Sequence, residues 1–382
     1  MKIAIVNYFF TKGDGQGRVN LELAKYLACR VENVTLIGTK FDSLLRNGDI
    51  NTIKVKSVFK RPRILTVIEF IIRSAVALNR SVTNYDVIVA NGVNIFRAHS
   101  LNAVHFAHGG WLRSPFHAWK VNKSLNGAYQ WLFSTLNDMW ERQVLSKAES
   151  IVAVSQMVKD ELIVSGVAAE KINVVVNGVD LDTFHPGPAD RQALELPEGV
   201  PLGLFVGDIK SPIKNPDGCL HALAAVPDVH LAFAGRPEGS PLPRLAEELD
   251  IADRVHFLGF RRDIADLMRA ADFFLLPSRR DSCPLVLLEA LASGLPAIVS
   301  KQVGTYDLVG GTAGVVVDSP DDHVALAGAI RLMRDNPERR HEMSTAARAI
   351  AEQHSWERMA ERYLEILLAQ VEQPRMPTGR EG

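Results

Sequence analysis

Asp281 and Glu289 open and close the core of the stretch DSCPLVLLEALASGLP, residues 281–296, where Glu289 is the one acidic side chain within an oily helical run. An ordinary amphipathic helix offers such a residue no polar face. A carboxylate left buried and unpaired there costs several kcal/mol, so Glu289 needs a partner, and the hydroxyls of a bound ribose would serve. The alternative is a Glu that reaches solvent along its own stem or pairs with a neighbouring Arg. Pro284 suits the first helical position, Ser282 or Cys283 the N-cap region, and Gly294 followed by Pro296 the stop. A helix is therefore expected from about 284 to 293, directly after the strand FFLLPS. Its start would present free N–H groups and a partial positive charge to a phosphate.

A second cationic feature lies in FVGDIKSPIKNPD, where Lys210 and Lys214 flank a turn after a strand. Asn215 reads as the N-cap of the helix that follows and Pro216 as its first residue. Two ammonium groups held in this way would neutralise two phosphates and stabilise charge developing on a departing diphosphate. The bland alternative is a pair of solvated loop lysines. In GDGQGRV, Gly13, Gly15 and Gly17 follow the first strand, but their spacing is G-x-G-x-G and not that of the dinucleotide fingerprint. Close backbone approach to an anion at a helix start remains the chemistry this loop offers, with a tight turn as its alternative.

Four histidines, His99, His105, His108 and His117, cluster in HSLNAVHFAHGGWLRSPFH. A strand puts residues three apart on opposite faces and no adjacent carboxylate completes a ligand set, so a metal site is not expected. His108 is expected to end the strand NAVHFA, before Gly109 and Gly110, where a strand C-terminus meets a ligand. His105 is the alternative register, and a hydrogen-bonded core histidine the structural one.

The elements that must position these residues alternate strand and helix twice over. KIAIVNYF, VTLIG, DVIVANG, NAVHFA and SIVAVS read as buried strands, with GRVNLELAKYLACR a helix after the first. LGLFVG, HLAFAG, VHFLGF, FFLLPS and AIVS form a second series. The pattern implies two doubly wound parallel sheets, the boundary falling in the Pro-, Gly- and Asp-rich break near residues 178–200. The expected organisation is an N-terminal Rossmann-like domain over 1–180, a C-terminal one over 181–354, a last helix at 355–371 returning to the first, and a disordered tail at 372–382.

With 382 residues, 47% hydrophobic and 23% charged, the chain has the composition of a globular protein of more than one domain. A formal net charge of -1 argues against nucleic acid as a partner. The scattered Cys29, Cys219 and Cys283 fit a reducing compartment, and MKIAIVNYFF reads as a strand and not a leader, so a cytoplasmic location is expected.

Taken in order, these motifs resemble a known family. D-x7-E between Asp281 and Glu289, after LLPS and before ALASGLP, resembles the E-x7-E region of retaining glycosyltransferases of family 4 (glycosyl transferases group 1), which have the GT-B fold. GDGQGRVNLELAKYL resembles that family's glycine-rich loop and first helix, VVVNGVDLDTF its linker, FVGDIKSPIKNPD its basic loop and HSWERMAERYLEIL its returning helix. Two positions depart from the pattern: Asp281 stands where Glu is usual, and Asp208 where Arg often follows the glycine.

The resemblance implies an α/β GT-B fold, two Rossmann-like domains facing across a cleft, with the acceptor on the first and the donor on the second. It implies that Glu289 holds the nucleotide ribose. Asp281 would lie beside the donor sugar with the amides of Ser282 and Cys283, and Lys210 and Lys214 would meet the diphosphate. His108 would touch the sugar, and Gly207, Arg236, Pro284, Leu285, Gly15 and Gly17 would line the donor. The implied reaction is retaining transfer of a sugar from a nucleotide-diphosphate sugar, UDP before GDP, to a hydroxyl acceptor in polysaccharide, glycolipid or natural-product synthesis. The D-x-D of GVDLD lies in the linker, so no metal is assigned, and no cofactor beyond the donor substrate. A nucleotide-sugar epimerase of the same fold and a non-catalytic sugar-nucleotide-binding protein are the alternatives. Lys40 stands where a nicotinamide enzyme would need an acidic residue.

FKRPRILTVIEFIIRSAVALNR, residues 59–80, joins Lys60, Arg61 and Arg63 to an oily run. This suits either an anionic leaflet or a core helix whose solvent side carries Glu69, Arg73 and Arg80. Because Glu69 would oppose an anionic surface, the core reading and a non-lipid acceptor are preferred, with membrane contact and a lipid-linked sugar second. The sequence does not fix an oligomeric state.

Overall fold

The computed structural model describes residues 1–46, 50–59, 61–81 and 85–372. Lys60 and the tail beyond Glu372 lie outside the described residues. The chain divides into two compact units, Met1–Val176 with Trp356–Gly382, and Asn177–Ser355.

Among the described residues, the first unit is built on a seven-stranded sheet: β1 (Lys2–Val6), β2 (Asn33–Gly38), β3 (Ile50–Lys54), β4 (Val87–Asn91), β5 (His99–Val104), β6 (Ala148–Ala153) and β7 (Ile172–Val174). Their spatial order is β3-β2-β1-β4-β5-β6-β7, with every pairing parallel. Ile3, Ala4, Ile5 and Val6 are all fully buried, as continuous apolar runs in a sheet covered on both faces must be. Order reverses beside β1, so the C-terminal ends of β1 and β4 form a switch point where such sheets bind ligands.

The helices of this unit that matter to function are α1 (Gly15–Ala28), α2 (Arg63–Arg80), α3 (His108–Arg113) and α4 (Leu125–Ser146). The strand expected over NAVHFA lies earlier, because pairing with β6 begins at His99 and stops at Val104. His108 therefore does not end a strand. It opens α3, which Gly109 and Gly110 let pack tightly: a Cβ on Gly109 would lie 2.4 Å from Asp138 Oδ1, and one on Gly110 2.1 Å from Glu161 Cδ.

The second unit carries a six-stranded parallel sheet of β8 (Leu202–Val206), β9 (His230–Ala234), β10 (Val255–Gly259), β11 (Phe273–Leu276), β12 (Ala297–Ser300) and β13 (Gly314–Val317). The order is β10-β9-β8-β11-β12-β13, so the switch point lies between β8 and β11. Phe205, Phe233 and Phe273 fill its core on one side, each contributing about 2 kcal/mol on burial. Helices α5 (Pro216–Ala224) and α6 (Leu285–Ala292) follow the loops after β8 and β11. The last helix, α7 (Trp356–Glu372), belongs to the first unit, where Arg18 of α1 lies over the Trp356 ring at 5.5 Å.

Candidate functional site

The loops leaving β8 and β11 meet at the switch point of the second unit. The Lys214 ammonium is hydrogen-bonded to Asp281 Oδ2, with both side chains partly buried, at 29% and 16% exposure. What fixes Lys214 is its neighbour Asn215, fully buried in the left-handed region at φ 57°. Its Oδ1 accepts from Gly218 N–H at 3.1 Å, capping α5, while its Nδ2 donates to the carbonyls of Pro277 at 3.1 Å and Pro320 at 2.5 Å. Arg279 ties the same two loops: it donates to Asp217 at 2.9 and 3.1 Å, to Asp321 at 2.8 Å and to the Pro212 carbonyl at 2.6 Å. On the other side, Asp281 N–H donates to Gln302 O at 3.1 Å and Asp281 O accepts from Gly304 N–H at 2.7 Å. Both charges are thus held on fixed backbone.

Helix α6 starts at Leu285, with Pro284 at the N-cap and no side chain capping it. The expectation of Pro284 as the first helical residue is corrected by one position, since its ψ of 119° is extended. The uncapped first turn leaves N–H groups for an anion. Beside it, the Ser282 hydroxyl is buried with no hydrogen-bond partner among the described residues. Burial pushes the Cys283 thiol up to about 12, so it is no nucleophile at neutral pH, and its carbonyl accepts from Asn177 Nδ2 at 3.3 Å. Leu285 and Glu289, one turn apart, are half-buried while Leu287, Leu288, Ala290, Leu291 and Ala292 are buried. Glu289 thus sits on the one edge of α6 that is open.

The other expected donor residues stand apart from this pair. Lys210 is exposed, its ammonium donating to Glu238 O at 3.3 Å, and Asp208 Oδ1 accepts its backbone N–H at 3.0 Å. Arg236 is exposed over the Phe260 ring at 5.3 Å. Gly207 has φ 153°, which favours glycine, and a Cβ on Gly235 would come 2.2 Å from its carbonyl oxygen. His108, Gly15 and Gly17 belong to the first unit. Gly15 opens α1, and Gly17 donates its N–H to Asp14 Oδ1 at 2.6 Å. That N–H is already used, so Gly17 shapes the turn without offering it to a phosphate.

At the switch point of the first unit lies a cavity of about 810 Å³, walled by residues at or just beyond the ends of β1, β4 and β5, including Asn7, Asn91, Asn94, His105 and His108, and by Arg61 and Arg63. A buried amide network supports this wall. Asn91 Nδ2 donates to Val6 O at 3.2 Å and to Asn20 Oδ1 at 2.9 Å, and Gln16 Nε2 donates to Asn7 Oδ1 at 3.1 Å. The His108 ring stands edge-on to Phe106 and Phe133, with centroids at 5.2 and 6.1 Å. Burial pushes His105 down to about 4, which keeps it neutral at physiological pH, and its Nε2 has no partner among the described residues. His99 lies apart: its Nδ1 meets Arg97 O at 2.9 Å and its Nε2 meets Asn102 Nδ2 at 3.0 Å.

Sequence reasoning missed Glu141. It accepts the His108 N–H at 3.1 Å, and burial, with the carboxylates of Asp138 and Glu161 adding to it, pushes its carboxyl up to about 8. Its only signal was an acid pair three apart, Asp138 and Glu141, on one helix face. A raised folded value means the protonated form is favoured in the native state. That stability is complete below the ordinary value near 4.5 and lost as pH rises through about 8. Glu141→Gln keeps an acceptor for the His108 N–H. It should remove on the order of 2–4 kcal/mol of the loss of stability between pH 5 and 9, read from denaturant melts. Equal slopes in both proteins would show that another group titrates.

Two family models match: "Glycosyltransferase Family 4" over residues 13–183 and "Glycosyl transferases group 1" over residues 187–373. Together they take in both units. The chain belongs to the group 1, family 4 glycosyltransferases.

This family-4 chain is 37% identical over 198 residues to the D-inositol 3-phosphate glycosyltransferase of Mycolicibacterium smegmatis, covering 49% of the chain and 45% of the relative. It is 40% identical over 239 residues to the enzyme of that description from Mycolicibacterium paratuberculosis, covering 58% and 53%. It thus spans about half the length of the curated relatives it matches. In fold it resembles a sucrose-phosphate synthase from Thermosynechococcus elongatus, with a TM-score of 0.78 at 20% identity over 97% of this chain and 99% of that one. It also resembles HepE of Anabaena, solved with UDP-glucose, with a TM-score of 0.73 at 22% identity over 97% and 100%. Two parallel-sheet α/β units make this a GT-B fold.

Proposed function

We propose that this chain moves a sugar from a nucleotide-diphosphate sugar, UDP-linked in preference to GDP-linked, to a hydroxyl acceptor with retention of the anomeric configuration. The observation that carries the reading is the Lys214–Asp281 pair beside the uncapped start of α6. A cation, a helix N-terminus and a buried unsatisfied Ser282 hydroxyl are what a diphosphate and a sugar would satisfy. HepE, of the same fold, has been solved with UDP and with UDP-glucose, which supports UDP as the nucleotide.

In this reading the second unit binds the donor. Glu289 accepts the ribose hydroxyls, Lys214 and the α6 amides hold the diphosphate, and Asp281 contacts the sugar. The first unit supplies His108 and the cavity for the acceptor, whose Arg61 and Arg63 suit an anionic acceptor group. The bond from the anomeric carbon to the diphosphate oxygen breaks and the acceptor oxygen bonds to the same face. The acceptor proton passes to the departing phosphate oxygen, and the protein contributes position and charge stabilisation.

The test is a thermal-shift panel of nucleotides followed by analysis of products. UDP should raise the melting temperature of the wild type, and more weakly that of Glu289→Gln, because a ligand bound only by the folded state stabilises it. Incubation with UDP-sugars and hydroxyl acceptors should then yield a new glycosidic bond of donor configuration. An altered sugar without a new glycosidic bond would establish the epimerase instead. Nucleotide binding with neither product, across the acceptor panel, would leave a sugar-nucleotide-binding protein.

A further inference from the structure

Glu69 overturns one premise of the sequence argument about helix α2, while Arg73 and Arg80 are exposed as expected. Expected on the solvent side with them, Glu69 is 8% exposed and turned into a loop. Its carboxylate accepts from Val58 N–H at 2.9 Å, Phe59 N–H at 3.0 Å and the Ser57 hydroxyl at 3.0 Å, and pairs with Arg73 Nε at 2.8 Å. The Phe59 N–H, then the Val58 N–H, the Ser57 hydroxyl and Arg73, hold this carboxyl below its usual range against the effect of burial. Its charge is satisfied internally.

The face left open is apolar. Leu65, Ile68, Ile72 and Val76 are 39%, 37%, 58% and 40% exposed. Their spacing of 3, 4 and 4 residues places them on one side of α2. The loop that Glu69 holds adds Val58 and Phe59, 68% and 46% exposed. In the segment that carries this stripe the charges are of one sign: Lys56, Arg61, Arg73 and Arg80 are exposed, and among residues 50–81 Glu69 is the one acid. Other parts of α2 face inward: Phe70, Ile71 and Leu78 are core, and Thr66 and Val67 line the cavity. An apolar stripe bordered by cations and cleared of anions is complementary to an anionic lipid surface, where the side chains enter the acyl boundary and the cations meet headgroups.

We propose that α2 and the 57–59 loop dock this protein on the surface of an anionic bilayer, as a peripheral contact. No helix among the described residues is long and apolar enough to cross a membrane. Docking by this face would bring the cavity of the first unit, which α2 borders, beside lipid.

The test is co-sedimentation of the full chain with phosphatidylcholine vesicles, plain or carrying about 30% phosphatidylglycerol, at about 0.05 and 0.5 M salt. Binding is expected to the anionic vesicles, falling several-fold at the higher salt, and little to the neutral ones. Ile68→Glu/Ile72→Glu should lose about tenfold or more of the binding, and Lys56→Gln/Arg61→Gln should lose mainly the low-salt part. Because both isoleucines are exposed, unfolding should be unchanged, and Ile72→Ser, without a charge, should show an intermediate loss. Three results would each overturn the proposal. One is absence of binding to anionic vesicles, and another is binding that Ile68→Glu/Ile72→Glu leaves intact. The third is concentration-dependent self-association abolished by that variant, which would make the face an interface between copies of the chain.

Discussion

Lys214→Ala should lower the rate of sugar transfer by about 10²–10³ while changing nucleotide affinity much less. This is the effect expected when a preorganised group acts on charge that develops in the transition state. In the proposed reading the ground-state diphosphate keeps the α6 amides, but the departing diphosphate loses the Lys214 ammonium, which is partly buried and held on rigid backbone. Asp281→Asn should cost a comparable factor, because it frees the ammonium from the acid that orients it. The double variant should be no worse than the poorer single one, as for groups acting as a unit. Steady-state kcat and KM for the four proteins decide this, with unfolding curves to show each is folded. Additive losses would mean that the two side chains act separately, and wild-type kcat in Lys214→Ala would make it a solvated lysine.

Asn215→Ala should be the most destabilising single change near the site, at about 3–5 kcal/mol. It removes the cap of α5, leaves the buried carbonyls of Pro277 and Pro320 without donors and forces alanine into the left-handed region. Asn215→Gly spares only the last of these and should recover about 1 kcal/mol. Denaturant unfolding of both variants separates the contributions. If glycine matched the wild type, backbone conformation alone would explain the position.

The fold was legible in the sequence wherever burial on both faces writes a continuous apolar run. KIAIV, LGLFV, HLAFA and FFLL lie on strands as expected. The strands it missed carry weaker signals: INTIK is polar at a sheet edge, INV has three residues, and GVVV begins at a glycine. NAVHFA misplaced the end of its strand because composition cannot tell the end of a buried strand from the short segment, His105 to Ala107, that leads into a packed helix.

At the site, the Lys214 and Asn215 turn could be read because capping chemistry is local. Glu141 under His108, Arg279 across three segments and the partner of Glu69 could not, since each contact joins residues at least ten positions apart. The placement of Glu69 on α2 failed for that cause: a helical pattern shows which face an acid occupies, not whether a neighbouring loop folds over it.

Helix α7 carries one more implication. Trp356, Met359, Ala360, Tyr363 and Leu367 are buried along one stripe of it, and they complete the first unit, whereas residues 177–355 form the second without interruption. As the chain leaves the ribosome, the second unit therefore has all its parts before the first has its closing helix. The earlier-made unit must wait with the α1 surface uncovered. A nascent chain stalled before residue 356 should show a protease-resistant 177–355 fragment and a first unit open to cleavage and chaperone capture. The part made first would be the last to become native.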